Sequence, residues 1–150
     1  MSHSLIDIWL HIIFSTKDRE PLIASNFDEK LYSHIKHKLI NEFDSFVEIV
    51  NGTENHIHIL MKQSPNFSLS QIIKNIKGES SHWINENNLT GRKFIWQTGY
   101  AAFSLSIDKL ENVKNYIGNQ KEHHKKYTFL EEMEKYSKIY GFDKSFITMD

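Results

Sequence analysis

The sequence contains no cysteine and only two prolines among its 150 residues. The absence of cysteine excludes a disulfide-built secreted domain, a zinc site with thiolate ligands and a cysteine nucleophile. No apolar segment approaches the roughly 20 residues that a membrane-spanning helix requires. Residues 1–5 also lack the basic stretch and long apolar run of a signal peptide. We therefore expect a cytoplasmic protein.

The chain also has little net charge, -1 at neutral pH, but its charges are unevenly distributed. Basic residues are in excess over residues 69–126, whereas both flanking parts are acidic. The densest basic cluster combines Lys121, Lys125 and Lys126 with two histidines, His123 and His124. Such a cluster either faces nucleic-acid phosphates or is the solvated end of a helix, where lysine also suits the helix dipole.

The spacing of apolar residues predicts the order β-α-β-β-α-β followed by two further helices. Nothing indicates a repeat or a linker, so residues 1–150 are expected to form one domain. The order is that of the split βαβ or ferredoxin-like fold, an α+β fold with a four-stranded antiparallel sheet and two helices on one face. The other face is expected to stay open for a partner, a ligand or a second subunit. Strands are predicted at residues 7–15, 46–51, 57–62 and 100–105, and helices at 26–43, 68–87, 108–124 and 128–140.

Cap and turn residues set the boundaries of these predicted elements. Asn26 and Ser68 are candidate N-caps, and Asn51-Gly52 predicts the turn between the second and third strands. Two candidate capping boxes, Asp108 with Glu111 and Thr128 with Glu131, predict where the last two helices begin.

Two histidines on the third strand form a candidate metal site. Side chains alternate between the faces of a strand, so His56 and His58 share one face while Ile57 and Ile59 pack beneath the helices. The two imidazoles would lie roughly 6–7 Å apart along the strand, close enough to bind one ion. Histidine pairs also occur in strands without any metal. A zinc site would need another ligand, which His11 on the first strand could supply.

The helix predicted from Asp108 carries an unusual polar flank beside its buried stripe. At about 100° per residue, the apolar residues of the stripe fall on one side. The flank holds amides, a tyrosine and a histidine, whereas a merely solvated face would be dominated by lysine and glutamate. The stripe consists of Leu110, Val113 and Ile117, and the flank of Asn112, Tyr116, Asn119, Gln120 and His123.

Tyr116 and Gln120 are four residues apart, which places their side chains one helical turn from each other. A tyrosine hydroxyl can attack a phosphodiester when a metal ion polarises the phosphate. The amide oxygen of Gln120 could be a third protein ligand beside the histidines, in a site that suits magnesium or manganese. The alternative is that Tyr116 packs at the edge of the core and Gln120 lies on the surface.

With these residues in place, the chain resembles the small HUH tyrosine transposases of the insertion-sequence 200/605 group over nearly its whole length. The tyrosine-helix motif and the Lys-Gly-x-Ser-Ser stretch are the most specific parts of the resemblance. Just before the histidines, relatives often show proline and aspartate, whereas this chain has Glu54-Asn55. The matching segments are Trp9-Leu10-His11-Ile12-Ile13-Phe14-Ser15, Asn55-His56-Ile57-His58-Ile59-Leu60, Ile76-Lys77-Gly78-Glu79-Ser80-Ser81, Trp96-Gln97-Thr98-Gly99-Tyr100 and Tyr116-Ile117-Gly118-Asn119-Gln120-Lys121-Glu122-His123-His124.

The resemblance implies a transposase that cuts and rejoins single-stranded DNA hairpins at element ends through a 5′-phosphotyrosine intermediate. Tyr116 would be the nucleophile, and His56, His58 and Gln120 would bind Mg²⁺ or Mn²⁺. The resemblance also implies a homodimer in which the tyrosine helix of one subunit can complete the metal site of the other. Candidates for DNA contact by this analogy are Lys77, Ser80, Arg92 and Lys93, and charge alone adds Lys125 and Lys126.

Two other functions remain open from the sequence. One is a domesticated, non-catalytic protein that binds DNA or RNA hairpins through the same face of the sheet. The other is a zinc hydrolase built on His56, His58 and His11. The intact tyrosine and glutamine favour the transposase, because a pure binding protein needs neither.

Overall fold

The computed structural model describes residues 4–141, without the side chains of His123 and His124. The strands pair antiparallel throughout, in the order β2-β3-β1-β4. This order confirms the α+β, ferredoxin-like fold predicted from the sequence. The elements are β1 (Trp9–Ser15), α1 (Asp28–Phe43), β2 (Phe46–Gly52), β3 (His56–Lys62), α2 (Leu69–Glu86), β4 (Ala101–Leu105), α3 (Leu110–Gly118), α4 (Gln120–Lys126) and α5 (Phe129–Tyr140).

One face of the sheet packs against α1 and α2. Alternation along the central strands directs Ile12, Ile57 and Ile59 to this side, where all three are fully buried. The Ser68 hydroxyl caps α2 by accepting a hydrogen bond from the Gln71 N–H at 3.2 Å, as predicted. The prediction that Asn26 caps α1 is wrong, because the cap position is Phe27 and no side chain caps it.

The opposite face of the sheet is not open, contrary to the prediction. Met133 and Tyr136 of α5 pack against Ile13 of β1, and Phe103 of β4 joins this second apolar cluster. The reason is that α5 has an apolar side of its own, which must be removed from water. The face of the sheet that α1 and α2 leave uncovered is apolar at Ile13, and α5 packs against it.

The β2–β3 hairpin turns later than the sequence predicts. β2 continues through Asn51 and Gly52, which pair with His58 and Ile57, and the turn follows Gly52. Glycine is required there by a close approach rather than by a turn conformation. A Cβ atom added to Gly52 would lie 2.2 Å from the carbonyl oxygen of His56. β2 and β3 can therefore approach each other closely enough for His56 to lie at the start of β3.

The helix predicted over residues 108–124 is broken into α3 and α4 at Asn119. The predicted Asp108–Glu111 capping box does not form, since α3 begins after a turn of 3-10 helix without a side-chain cap. Asn51 of β2 fixes the break, because its side-chain amide donates a hydrogen bond to the Ile117 carbonyl at 2.8 Å. The Thr128–Glu131 capping box at the start of α5 is confirmed.

In residues 4–141, no helix is both long and apolar enough to cross a membrane.

Candidate active site

His56 stands at the start of β3 and is held by the turn that precedes it. Its Nδ1 lies 2.7 Å from Oδ1 of Asn55 and 3.0 Å from Oγ1 of Thr53. An amide oxygen only accepts, so the Nδ1–H of His56 donates to Asn55. Asn55 thereby fixes the orientation of a candidate ligand.

His58 is oriented by His11 from the neighbouring strand. Nδ1 of His58 lies 2.8 Å from Nε2 of His11, and Nδ1 of His11 lies 3.1 Å from the hydroxyl of Tyr140. Both ring nitrogens of His11 are therefore occupied, and His11 is not a third metal ligand in this arrangement. Nε2 of His58 is buried without a hydrogen-bond partner among the described residues. A buried nitrogen of this kind is what a metal ion would satisfy.

Burial also sets the charge state of His11 and His58. It lowers the pKa of His11 to about 3. The pKa of His58 lies well below its ordinary value, first because of burial and then because of its histidine neighbours His56 and His11. Both rings are neutral at physiological pH, which is the form that binds metal.

Gln120 and Glu132 complete a buried cluster around His56. Oε1 of Gln120 and Oε2 of Glu132 each lie 3.2 Å from Nε2 of His56. The ligand atoms of His56, His58 and Glu132 all lie within 4.8 Å of one another, so these three residues could hold a metal ion. Imidazole nitrogens together with carboxylate and amide oxygens form a donor set suited to a divalent cation.

Tyr116 reaches the same cluster from α3. Its hydroxyl donates a hydrogen bond to Oε1 of Glu132 at 3.0 Å, while the other carboxylate oxygen faces His56. Burial, followed by the charge of Glu132, raises the pKa of Tyr116 above its ordinary value of 10.0. The phenol is therefore protonated at neutral pH in this state of the protein.

Glu132 is the site residue that the sequence analysis missed. It lies near the start of α5, among the buried residues Met133, Tyr136 and Ser137, and is only 1% exposed. A carboxylate on the apolar side of an amphipathic helix is unfavourable unless it has a partner. The sequence therefore contained a signal, one acidic residue within the apolar stripe of α5.

The family of this chain is shown by its sequence. Residues 4–120 match the family described as transposase IS200 like. The chain belongs to the IS200-like transposase family. The match ends at Gln120, so α5 and its Glu132 lie outside the matched residues.

Solved structures agree on the fold of this IS200-like transposase. A protein of Deinococcus radiodurans R1 assigned as a transposase is 17% identical, with a TM-score of 0.61, over 80% of this chain and 95% of that chain. A REP-associated tyrosine transposase bound to a REP hairpin is 16% identical, with a TM-score of 0.60, over 83% of this chain and 74% of the other. No curated protein sequence matches.

Two of the residues predicted to contact DNA have structural partners within the chain. Ser80 is fully buried, and its hydroxyl accepts a hydrogen bond from the Trp96 indole N–H at 2.9 Å. A DNA contact by Ser80 stays a prediction. Lys77 is half-buried, and its ammonium donates to the carbonyls of Gln97 and Gly99 at 2.5 and 2.7 Å. Lys77 therefore anchors the loop that leads into β4.

The other four predicted DNA contacts are exposed. Arg92 and Lys93 lie in the loop before β4, where Arg92 pairs with Glu20 at 2.8 Å. Lys125 and Lys126 end α4. Lys125 and Lys126 border a cavity that also includes Asn55, the residue before His56 at the start of β3. Their role in DNA binding stays a prediction.

The structure also bears on the predicted sharing of the site between subunits. A single chain brings together Tyr116, Gln120 and both histidines, because Asn51 holds the break after α3 against its own sheet. Sharing of the site between subunits stays a prediction. Homodimer formation itself stays a prediction.

Proposed function

We propose that this protein is a transposase that cleaves and rejoins single-stranded DNA through a covalent bond between a 5′-phosphate and Tyr116. The proposal is carried by one observation, the double contact of the Glu132 carboxylate. One of its oxygens accepts a hydrogen bond from Tyr116, and the other lies 3.2 Å from His56. The candidate nucleophile and the candidate metal ligands therefore face the same small volume.

In the proposed reaction, the hydroxyl oxygen of Tyr116 attacks the scissile phosphorus. The bond from phosphorus to the 3′-oxygen breaks, the phenol gives up its proton and the departing 3′-oxygen takes one up. The DNA keeps a free 3′-hydroxyl, and the 5′-phosphate stays on the tyrosine. Because the phosphotyrosine conserves the energy of the phosphodiester, a second 3′-hydroxyl can reverse the step and rejoin the strands.

The residues that would hold a divalent cation, Mg²⁺ or Mn²⁺, are His56, His58 and Gln120. When bound, such an ion would polarise the scissile phosphate and stabilise the charge that develops on it. His11 and Asn55 contribute by fixing the orientation of the two imidazoles, as partners of metal-binding histidines usually do. A cation near Tyr116 would lower the raised pKa of its buried phenol, since positive charge favours the phenolate.

DNA reaches this site only if α5 moves, because His56, His58 and Gln120 are fully buried. We propose that the scissile phosphate takes the place of the Glu132 carboxylate. Both groups are anions with two or more acceptor oxygens, and both would satisfy Tyr116 and the metal ligands. Glu132 thus fills the phosphate position while DNA is absent.

The substrate is proposed to be a single-stranded DNA hairpin at the end of a mobile element. The four exposed basic side chains of Arg92, Lys93, Lys125 and Lys126 suit a DNA backbone, and the two lysines of α4 border a cavity that also includes Asn55. The similar REP-associated transposase is bound to a REP hairpin. We further propose that residues 1–150 form one domain, that the protein is a homodimer and that it acts in the cytoplasm.

The test is a denaturing gel for covalent protein–DNA adducts. Each strand of the DNA that flanks the coding sequence is supplied separately, with Mg²⁺ or Mn²⁺, to wild type and to Tyr116→Phe. We expect an adduct on one strand only, which is lost in the variant and on addition of a chelator. An adduct that persists in Tyr116→Phe would reject the assignment of the nucleophile.

A second candidate function is that of a non-catalytic hairpin-binding protein. The complete burial of the metal-ligand atoms beneath α5 is the observation that favours it. That function predicts hairpin binding without any adduct, even in a Glu132→Ala variant in which the anion over the site has been removed. Adduct formation by either wild type or Glu132→Ala would exclude it.

A further inference from the structure

A cavity of about 350 Å³ lies beside the candidate active site, outside the cluster of metal-ligand residues. It is bordered by Arg19, by Asn55 and by the junction between α4 and α5. Three of its side chains carry positive charge, those of Arg19, Lys125 and Lys126. Glu131 also borders the cavity, but its carboxylate accepts the hydrogen bond from the Thr128 N–H in the capping box. The cavity is therefore electropositive and suits an anion.

Arg19 is placed at this cavity by a backbone turn that local preferences alone would not choose. Asp18 and Arg19 have φ values of 56° and 54°, in the left-handed region that residues with a Cβ rarely adopt. The turn is held by a hydrogen bond from the Asp18 N–H to the Gln97 side chain at 2.9 Å, and by one from the Thr16 hydroxyl to the Glu20 carbonyl at 2.6 Å. The Arg19 guanidinium lies 5.2 Å from the centre of the Phe129 ring.

The cavity adjoins the candidate active site through two of its lining residues. Asn55 accepts the hydrogen bond that orients His56, at 2.7 Å. The Phe129 ring packs edge-on to the His56 ring, with 4.9 Å between their centres. One layer of side chains therefore separates the cavity from the imidazole that faces Tyr116 and Glu132. An anion in the cavity would therefore lie close to an anion in the candidate active site.

We infer that this cavity binds a backbone phosphate of the DNA strand, next to the phosphate that Tyr116 attacks. Arg19 is the main ligand, since a guanidinium can donate two parallel hydrogen bonds to a phosphate. Lys126 adds positive charge, as does Lys125, whose ammonium also pairs with Glu122 at 3.2 Å. The identity of the strand rests on the proposed function, but phosphate binding by the cavity does not. Arg19 would thus set the register of the strand over the site.

The first experiment measures binding alone, without metal and in the Tyr116→Phe background, so that cleavage plays no part. Fluorescence anisotropy of a labelled ten-residue thymidine oligonucleotide is recorded over a series of salt concentrations. We expect Arg19→Gln to weaken binding and to reduce the salt slope by about 0.7, the value for one phosphate contact on a single strand. Arg19→Lys should keep most of the slope.

Lys36→Gln is the matched control, because it removes one positive charge from the exposed side of α1, on the other face of the sheet. It should leave the slope unchanged. A slope in Arg19→Gln equal to that of the control would overturn the inference. Lys126→Gln is a second variant, which removes a positive charge from the cavity but keeps the contact between Arg19 and Phe129. It should also reduce the salt slope.

A second experiment locates the phosphate on the strand that forms the adduct. Each phosphate in turn is replaced by a neutral methylphosphonate, and binding is measured with the Arg19 residue intact and with Arg19→Gln. We expect one position, beside the cleaved bond, at which the replacement weakens DNA binding by the protein with Arg19 but not by Arg19→Gln. Equal sensitivity at every position in both proteins would show a diffuse charge effect and reject a defined site. Loss of the adduct alone, with this pattern intact, would reject the proposed chemistry and leave the phosphate site standing.

Discussion

Oε2 of Glu132 lies 3.2 Å from Nε2 of His56, and both side chains are almost completely buried, at 1% and 0% exposure. A buried carboxylate is costly unless it has charged or hydrogen-bonding partners. Glu132 has two such partners, the imidazole of His56 and the hydroxyl of Tyr116. The contact therefore holds α5 over the candidate active site.

Replacing Glu132 with alanine should open the site. We expect Glu132→Ala to form the covalent DNA adduct faster than wild type, because it removes the anion that competes with the scissile phosphate. The initial rate of adduct formation at saturating Mn²⁺ is the measurement. Glu134→Ala is the control, since Glu134 is an exposed carboxylate on the same helix.

The opposite result has a defined meaning. If Glu132→Ala lost both the adduct and Mn²⁺ binding, Glu132 would be a required metal ligand rather than a substitute for the phosphate. Isothermal titration of the DNA-free variant with Mn²⁺ separates the two roles.

Metal binding should depend on the two histidines of β3 and on the partner of one of them. We expect His58→Ala to abolish Mn²⁺ binding, and His11→Phe to weaken it about 10–100-fold, the usual effect of losing an orienting partner. Calorimetric titration with Mn²⁺ measures both. His34→Ala is a matched control, because His34 contacts the Glu79 carboxylate at 2.7 Å on the α1–α2 side. Equal affinity in His34→Ala and His58→Ala would refute the assignment of the site.

Acid should destabilise the metal-free protein through the buried histidines. The pKa of His11 is about 3 in the folded state, against 6.5 for an ordinary histidine. Between these values the unfolded chain binds a proton that the folded protein does not, so stability is complete above pH 6.5 and falls as the pH drops towards 3. One such group changes the free energy of unfolding by about 1.4 kcal/mol per pH unit within that window.

Urea unfolding at pH 7.5, 6.5 and 5.5 in the presence of a chelator tests this expectation. The His11→Gln variant should show a smaller loss of stability over the same range. An identical pH dependence in the two proteins would mean that His11 becomes protonated without unfolding.

The close approach at Gly52 should make that glycine irreplaceable. A Cβ atom there would meet the His56 carbonyl at 2.2 Å, so the hairpin must shift. We expect Gly52→Ala to lower the free energy of unfolding by about 1–3 kcal/mol, the usual cost of overpacking, and to weaken Mn²⁺ binding through His56. Gly78→Ala is the control, since its Cβ would meet nothing within 4 Å and α2 should gain about 1 kcal/mol. Urea denaturation checks both, and a neutral Gly52→Ala would contradict the steric argument.

The sequence by itself determined the elements whose signals are local. Alternation along β3 put His56 and His58 on one face, and the Ser68 cap and the Thr128–Glu131 capping box began their helices where predicted. These features depend on neighbours within a few residues. The order of strands and helices then allowed only a few topologies, of which the ferredoxin-like one was found.

Tertiary structure decided whatever required distant residues to meet. The break between Tyr116 and Gln120 depends on a hydrogen bond from Asn51, and the orientation of His58 depends on His11. Glu132 reaches the site only because α5 buries its apolar side on a sheet face that the strand pattern alone left open. Burial is a property of the whole molecule, since each surface is covered by whichever segment fits it. A local pattern therefore predicted the histidines of the site, but only the packed fold brought in the carboxylate between them and the tyrosine.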